Sequence, residues 1–364
     1  MHEHEYFMAR ALRCAEQGMF TAHPNPRVGA VVVRDGRIIG EGYHRRTGGP
    51  HAEVEALASV NGDVSGTSVY CTMEPCSFEG RTPSCAQMLI DRGVKQVIYG
   101  MEDPHPKNRG LGFSMLRAAG VEVVGPVLEA SVRQLNPGHI KRYETGMPYV
   151  RLKVAASLDG RTALANGESQ WITGDAARRD VQRLRARSGA ILTGVGTVNA
   201  DDPSLTVRAE QLDSPHGVIS AGISRSIAVV DSTGSLHHTA SLCQNPALIH
   251  YCGAKVRTAG RGQSVVAPLL GRRIDLSWVL SDLASRDCHE ILAECGSTLA
   301  GALVDANLVD ELVLYLAPKL MGQDARPLLH LGKIDSMQAV AQWTMIDVRQ
   351  VGQDLRVTLR PTSE

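Results

Sequence analysis

The sequence is poor in aromatic residues and has neither an excess of charge of one sign nor a long apolar run. Phe, Trp and Tyr make up 4% of its 364 residues, and 38 Lys and Arg residues balance 38 Asp and Glu residues. A nucleic-acid groove needs clustered cations and stacking rings, so this composition gives no indication of one. No run of 18 apolar residues and no basic, then apolar, leader is present, which predicts a cytoplasmic protein without membrane contact.

Cysteine is also sparse, with eight residues in the whole sequence. So few cysteines cannot form a disulfide scaffold, and in a reducing compartment spaced cysteines bind metals or take part in chemistry. The fractions of 43% hydrophobic and 21% charged residues are typical of globular proteins. A chain of this length suits two domains, each with its own core.

Alternating helix and strand patterns in the first half predict a layered α/β domain. An amphipathic helix is expected up to Gly18, and Asp35-Gly36 between two apolar segments predicts a tight hairpin. The following segments alternate between helical and strand patterns up to VEVVG at 121–125, so the second part of this domain should form a largely parallel sheet.

A domain boundary is predicted within the stretch YETGMPY at 143–149, because Gly, Pro and polar residues there separate a helical segment from a new strand. We place the domains at 1–145 and 146–364. The second half repeats the α/β pattern, with a helix over 174–189 and short buried strands after it. Residues 209–226 are the least regular and are expected to form a surface loop.

His51, Glu53, Cys76 and Cys85 carry the strongest chemical signal in the first half. One imidazole and two thiolates leave the fourth tetrahedral position of Zn²⁺ open to water, as in catalytic zinc sites. Zinc lowers the pKa of that water to about 7 and supplies hydroxide at neutral pH. Helices are expected to start at His51, Cys76 and Cys85, where the helix dipole favours a thiolate. Glu53 is assigned as the proton shuttle and not as a ligand.

The HxE and PC elements are those of zinc nucleobase deaminases, in which Glu is the general acid and base. Eight residues separate Cys76 from Cys85 here in place of two, which predicts an extra loop beside the metal. The alternative is that these His and Cys residues only fill a core. The other six cysteines are assigned to the core: Cys14, Cys71, Cys243, Cys252, Cys288 and Cys295.

Eight segments match a known family in sequence and in order. They are HPNPRVGAVVV, GEGYH, GGPHAEVEAL, MEPCSFEGRTPSC, VRLKVAASLDGRTA, ESQWIT, DVQRLRARSGAILTGVGTVNADDPSLTVR and AGALVDANLVDELVLYLAPKLMG. With them the sequence resembles the bifunctional riboflavin-biosynthesis deaminase/reductase family over nearly its whole length. The resemblance becomes thinner between Ala209 and Asp287.

The resemblance implies two reactions in series. The first is zinc-hydroxide deamination of 2,5-diamino-6-(5-phosphoribosylamino)pyrimidin-4(3H)-one, and the second is reduction of the ribosyl chain of 5-amino-6-(5-phosphoribosylamino)uracil to ribityl with NADPH. The implied fold is a cytidine-deaminase-like three-layer domain followed by a dihydrofolate-reductase-like α/β domain. One Zn²⁺ per chain and NADPH are the implied cofactors, small phosphoribosyl pyrimidines are the implied partners, and a homo-oligomer is expected.

By position, the resemblance implies that Asn25 contacts the base and that Lys153 faces the sugar. Asn25 can equally form an Asx turn between two prolines. Lys153 can be a lysine at a strand edge, although burying a lysine in an apolar strand is costly unless function retains it. These two residues therefore have both a functional and a structural interpretation.

The remaining assignments also come from the resemblance. An arginine suits bidentate phosphate recognition, although Arg185 can instead lie on a solvated helix face. No GxGxxG motif is present, so a cofactor site at Gly194, Gly196 and Gly296 depends on the resemblance. The implied substrate residues are Ser169, Arg185, Leu205, Arg208 and Glu294, and the implied cofactor residues are Ala155, Trp171, Thr197, Asp201 and Gly296.

The sequence departs from the family pattern at several positions. Phe78 replaces a histidine after the first zinc cysteine, and His105 replaces an asparagine. Glu-Ala-Gly-Pro near the cofactor is replaced by Glu-Cys-Gly-Ser at 294–297. We expect Ser297 to cap the helix that follows, so that cofactor binding is preserved.

Two other classes of protein share part of the signal. A nucleic-acid deaminase uses the same zinc chemistry but needs a basic groove with aromatic residues, which the composition disfavours. A binding protein with a purely structural zinc has no need of Glu53.

Overall fold

The chain forms two compact units, residues 1–146 and 147–364. The structure is a computed structural model that describes residues 3–78, 84–212, 215–254 and 260–362. Within these ranges, none of the helices has the length and apolar character needed to cross a membrane.

The first unit contains a five-stranded sheet in the order β2-β1-β3-β4-β5. Strand β1 is antiparallel to β2 and β3, whereas β3, β4 and β5 are parallel, which confirms the predicted parallel part. The elements are α1 Glu3–Glu16, β1 Gly29–Arg34, β2 Arg37–Tyr43, α2 Ala52–Ala58, β3 Ser68–Met73, α3 Cys85–Asp91, β4 Gln96–Met101, α4 Leu111–Ala118, β5 Glu122–Val124, α5 Glu129–Leu135 and α6 Pro137–Thr145.

Helices cover both faces of this sheet, because alternate side chains of its strands belong to different cores. Ala30 and Val32 of β1 pack in a cluster with residues of α2, α3 and α4. Val31 and Val33 pack in a second cluster with residues of α1. This two-residue periodicity produces the three layers expected from the resemblance.

The predicted hairpin between β1 and β2 is present. Asp35 and Gly36 both adopt positive φ values, of 49° and 72°. A two-residue turn of this kind matches the twist of an antiparallel pair, and aspartate and glycine tolerate the left-handed region best.

The second unit contains a nine-stranded sheet in the order β11-β10-β9-β8-β14-β6-β15-β18-β17. All neighbours are parallel up to β15, and β18 and β17 add an antiparallel edge. The elements are β6 Tyr149–Ser157, β7 Arg161–Ala163, α7 Asp175–Arg187, β8 Ala190–Gly194, α8 Val195–Asp201, α9 Gly217–Gly222, β9 Ser226–Asp231, β10 Leu248–Cys252, β11 Gln263–Val266, β12 Leu269–Leu270, β13 Arg273–Ile274, α10 Leu276–Ser285, β14 Glu290–Glu294, α11 Ser297–Asp305, β15 Glu311–Ala317, β16 Arg326–Pro327, β17 Trp343–Val351 and β18 Asp354–Pro361.

The segment 209–226 differs from the expected surface loop. Its described residues include a short 3₁₀ helix, Ala209–Gln211, and helix α9. Leu212 and Ser220 are fully buried. The prediction of a loop was wrong for these parts because a short helix leaves little periodicity to recognise.

Candidate functional sites

His51, Cys76 and Cys85 converge in the first unit. The Nδ1 atom of His51 lies 3.6 Å from Sγ of Cys76 and 3.3 Å from Sγ of Cys85. Ligand atoms of one tetrahedral zinc, with Zn–N near 2.0 Å and Zn–S near 2.3 Å, are separated by roughly 3.6 Å. The donor set therefore fits a single zinc ion, and it is the one cluster of three or more potential ligands among the described residues.

Three different local structures bring these ligands together. His51 is the residue before α2, and α2 lies close to β2 because Gly42 has no side chain: a Cβ there would come within 2.3 Å of the Ala56 nitrogen. Cys85 is the first residue of α3, as predicted. Cys76 lies in the loop after β3 and not at a helix start, so that part of the prediction was wrong.

A hydrogen-bond pair fixes the two cysteines relative to each other. The backbone N–H of Cys85 donates to Sγ of Cys76 at 3.2 Å. The hydroxyl of Ser84 donates to the carbonyl of Cys76 at 2.8 Å, and it accepts from the N–H of Gln87 as the cap of α3. The cap of the helix thus also holds the loop that carries the first cysteine.

The electrostatics of the cluster favour a thiolate next to an imidazolium in the absence of a metal. The hydrogen bond with Cys85, together with that to His51, lowers the pKa of Cys76 to about 4. The hydrogen bond between His51 and Cys76 raises the pKa of His51 to about 8. The hydrogen bond between Cys85 and Cys76 raises the pKa of Cys85. Glu53, in the first turn of α2, is 3% exposed, and burial raises its pKa to about 7.

Asn25 is connected to this centre through His44. The Nδ2 of Asn25 lies 3.0 Å from Nε2 of His44, and Nδ1 of His44 lies 2.9 Å from the carbonyl of Pro50. Since a carbonyl can only accept, Nδ1 carries the proton and Nε2 accepts from the Asn25 amide. The His44 ring packs edge-on against His51, with centroids 5.5 Å apart. Sequence reasoning missed His44, although it lies in the matched segment GEGYH.

The loop that follows β4 lies beside the first cysteine. The N–H of Ser77 donates to Oδ1 of Asn108 at 2.8 Å, and the rings of Phe78 and His105 have centroids 6.0 Å apart. The two departures from the family pattern are thus neighbours in space. The extra loop predicted between Cys76 and Cys85 falls mainly at 79–83, outside the described residues.

A cavity of about 1710 Å³ opens in the second unit. It brings together all the residues of this half that were assigned to substrate or cofactor. They are Lys153, Ala155, Ser169, Trp171, Arg185, Thr197, Asp201, Leu205, Arg208, Glu294 and Gly296.

Lys153 and Glu294 face each other across β6 and β14, where they are register partners. Arg185 binds Glu294 through two hydrogen bonds of 2.6 and 3.0 Å and also donates to the carbonyl of Thr206. Burial lowers the pKa of Lys153, and Glu294 opposes that effect. Arg185 therefore has an anionic partner within the chain, and it does not lie on a solvated helix face.

Backbone groups rather than side chains surround another part of the cavity. A Cβ on Gly196 would meet no atom within 4 Å, and Gly296 N–H donates to Oγ1 of Thr197 at 3.1 Å. Gly296 is the N-cap of α11, so the expected capping by Ser297 was wrong. Cys295 is half-buried and packs against the core of this unit, as assigned, but it also lines the cavity; the other five cysteines assigned to the core are buried. Glycines at the N-terminus of a helix fit a dinucleotide pyrophosphate.

These two sites define a zinc-dependent deaminase unit followed by a nucleotide-dependent reductase unit. Residues 1–101 match the cytidine and deoxycytidylate deaminase zinc-binding region, and residues 148–357 match the RibD C-terminal domain. The chain is 44% identical over 357 residues to riboflavin biosynthesis protein RibD of Escherichia coli, covering 96% of this chain and 97% of that one. The chain belongs to the RibD family of riboflavin biosynthesis proteins.

Solved structures agree over the whole length. Acinetobacter baumannii RibD has a TM-score of 0.92 at 39% identity, and a Thermotoga maritima deaminase/reductase has a TM-score of 0.87 at 31% identity; each comparison covers 99% of both chains. The protein is a bifunctional deaminase and reductase of riboflavin biosynthesis, with a zinc-binding deaminase domain and an NADPH-using reductase domain. The predicted cytidine-deaminase-like and dihydrofolate-reductase-like folds are confirmed.

Proposed function

We propose that domain 1–145 removes the 2-amino group of 2,5-diamino-6-(5-phosphoribosylamino)pyrimidin-4(3H)-one, and that domain 146–364 reduces the ribosyl chain of 5-amino-6-(5-phosphoribosylamino)uracil to ribityl. The Thermotoga relative is named for a deaminase and a reductase acting on these classes of compound. The observation that carries the proposal is the convergence of His51, Cys76 and Cys85 beside a buried Glu53 in the same chain as the cavity around Lys153.

In the deaminase domain, His51, Cys76 and Cys85 would hold zinc, which would supply an activated water for attack on the amidine carbon. Glu53 takes a proton from that water and delivers one to the amino group, which departs as ammonia. Its carboxylate is enclosed two residues beyond the histidine and lies outside the donor set. Asn25, oriented by His44, hydrogen-bonds the pyrimidine.

In the reductase domain, bound NADPH would supply the hydride, and Lys153 hydrogen-bonds the sugar oxygen that gains a proton. Glu294 and Arg185 orient that lysine and the substrate. The other substrate residues are Ser169, Leu205 and Arg208, and the cofactor residues are Ala155, Trp171, Thr197, Asp201 and Gly296.

The test is a coupled assay on the full-length protein, in which ammonia release, NADPH oxidation and zinc content are measured together. Glu53→Gln should keep its zinc and lose deamination by about 100- to 10,000-fold, because proton transfer is lost. Glu55→Gln is the matched control, since Glu55 lies on the same helix and pairs with Arg45. Cys85→Ala should lose zinc.

The two activities should separate. Glu53→Gln should still reduce supplied 5-amino-6-(5-phosphoribosylamino)uracil, and Lys153→Ala should release ammonia while NADPH is spared. If Glu53→Gln abolishes that reduction, or if Lys153→Ala oxidises NADPH normally, the assignment of two separate sites is wrong. If the Cys85→Ala variant kept its full zinc content and full deaminase activity, the proposed set of zinc ligands would be wrong.

We further propose a cytoplasmic homo-oligomer. Eight free cysteines among the described residues suit a reducing compartment. Strand β17 ends the sheet, and its side chains Met345, Ile346 and Val348 are exposed. An exposed edge strand with apolar residues is a surface on which a second copy can pair. Sedimentation velocity should give a particle larger than 39.1 kDa, and a monomer would contradict the proposal.

A further inference from the structure

The order of the strands sets a direction across the reductase cavity. Lys153 lies on β6, and the next strands in the sheet are β14, β8 and β9. Their C-terminal ends contribute Glu294, Gly194 and Val230 to the cavity wall. Ligands of parallel sheets bind at these ends, and three strand spacings correspond to roughly 14 Å. A dinucleotide that reacts at Lys153 therefore extends towards β9.

A small hairpin forms the wall at the β9 end. Strands β12 and β13 pair in an antiparallel register across a turn that contains Arg272. The N–H of Ile274 donates to Oγ of Ser232, the residue after β9, at 3.1 Å. Ile274 is buried, which fixes the hairpin to the sheet. Arg272, Arg273, Ser232 and Thr233 all line the cavity there.

Positive side chains without an ion-pair partner among the described residues lie at this end of the cavity. Arg272 and Arg273 are exposed, and neither makes an ion pair within the described part of the chain. Two carboxylates at this end of the sheet, those of Asp231 and Asp275, already accept hydrogen bonds within the chain. Asp231 accepts from Nε2 of His250 at 3.0 Å and from the Leu236 N–H at 2.9 Å, and Asp275 accepts from the Trp278 N–H at 3.1 Å.

This pattern matters because dinucleotide-binding sites distinguish NAD from NADP at the 2′ position of the adenosine ribose. An acidic side chain binds the 2′-hydroxyl of NAD, whereas an arginine accommodates the 2′-phosphate of NADP. Here the carboxylate at the end of the strand, that of Asp231, is buried and hydrogen-bonded to His250, and the guanidinium groups of Arg272 and Arg273 line the cavity instead. Guanidinium groups bind phosphate through paired, charge-assisted hydrogen bonds.

We propose that Arg272 and Arg273, with the hydroxyl of Ser232 beside them, bind the 2′-phosphate of NADPH and make this hairpin the determinant of cofactor preference. The inference rests on the proposed function only in taking the cavity around Lys153 as the cofactor site. The position of the hairpin, three strands away from the hydride site, separates this phosphate from the reacting sugar.

The experiment measures direct binding to the full-length protein by calorimetry. Adenosine 2′,5′-bisphosphate and AMP are the probes, because they differ only in the 2′-phosphate. The parent should bind the bisphosphate more tightly. The double variant Arg272→Ala/Arg273→Ala should lose about 10- to 100-fold in affinity for the bisphosphate, as expected for lost hydrogen bonds to a charged group. Its affinity for AMP should change less than about twofold.

Arg261→Ala is the matched control, because Arg261 is exposed and does not line the cavity. A double variant that keeps the preference of this control for the bisphosphate overturns the inference. A raised KM for the aminouracil phosphate with unchanged bisphosphate binding also overturns it, since the arginines would then serve the substrate. A parent that binds the bisphosphate but does not oxidise NADPH with supplied substrate contradicts the proposed function and leaves the phosphate site standing.

Discussion

Arg151 should be the most important single charge for the stability of the reductase unit. Its side chain is 1% exposed, with Nη1 2.6 Å from Glu290 and Nε 2.7 Å from Glu311. These three residues lie on β6, β14 and β15, which are neighbours at the centre of the sheet. The same strands carry Lys153 and Glu294 two and four residues further on, so the ion cluster also holds the site in register.

Arg151→Met keeps the bulk of the side chain but leaves two buried carboxylates without their main partner. Breaking such a cluster costs about 3 to 5 kcal/mol. Arg187 lies 3.5 Å from Glu290 and Arg360 lies 3.3 Å from Glu311, so part of the negative charge stays compensated. We therefore expect the lower value, about 3 kcal/mol. For a unit of roughly 200 residues this corresponds to a fall in melting temperature of about 6 to 12 °C.

The measurement is calorimetric unfolding of the full-length variant, with ammonia release as the readout of the other unit. Arg360→Met is the control, because its side chain is 36% exposed and such pairs contribute at most about 1 kcal/mol. Equal destabilisation by the two variants, or a loss below about 1 kcal/mol for Arg151→Met, would refute the reasoning.

The pH dependence provides a second check. Burial alone would raise the pKa of Glu311, but Arg151, together with Arg187 and Arg360, outweighs burial and the pKa is lowered. A carboxyl group with a lowered pKa stabilises the fold above its unfolded value, near pH 4.3, and loses that contribution as the pH falls through the folded value. The difference between the parent and Arg151→Met should therefore shrink below about pH 4.

Two further predictions concern the deaminase domain. Removal of zinc by a chelator should stop ammonia release while reduction of supplied aminouracil continues, as followed by metal analysis and NADPH absorbance. Glu74 accepts backbone N–H groups from Asp103, Gly110, Gly112 and Phe113. Glu74→Gln should turn an amide towards these donors, cost about 1 to 3 kcal/mol and reduce deamination without loss of zinc. Glu102→Gln, an exposed position, should change neither property.

Local patterns predicted most of the fold. Strands such as AILTGV and SIAVVD are apolar because both faces of the parallel sheet are covered, and the helix at 174–189 has strong periodicity. The hairpin β17–β18 was not predicted. Strand β17 is exposed between its half-buried end residues, Trp343 and Val351, so its residues have no alternation of burial that periodicity can detect.

The metal site was more predictable than the contacts of the cavity. His51 immediately precedes α2 and Cys85 is the first residue of α3. Residues at helix starts, with Glu53 only two positions after His51, form a local pattern that can be recognised in the sequence. The pair between Arg185 and Glu294 joins residues 109 positions apart, and Asn25 reaches His44 through the packing of two loops. Contacts of this kind depend on tertiary structure, which no local pattern encodes.

Two buried glutamates show how the fold assigns different chemistry to the same residue type. Glu53 and Glu294 are both enclosed, yet burial raises the pKa of Glu53, whereas the charge of Arg185, with its hydrogen bonds and the charge of Lys153, outweighs burial and lowers the pKa of Glu294. An ionised Glu294 opposite Lys153 favours the ammonium form of the lysine, which is the form that can donate a proton. At the other site the cation beside the glutamate would be the zinc ion that His51, Cys76 and Cys85 would hold. The chemistry of each domain therefore depends on which cation lies opposite its buried carboxylate.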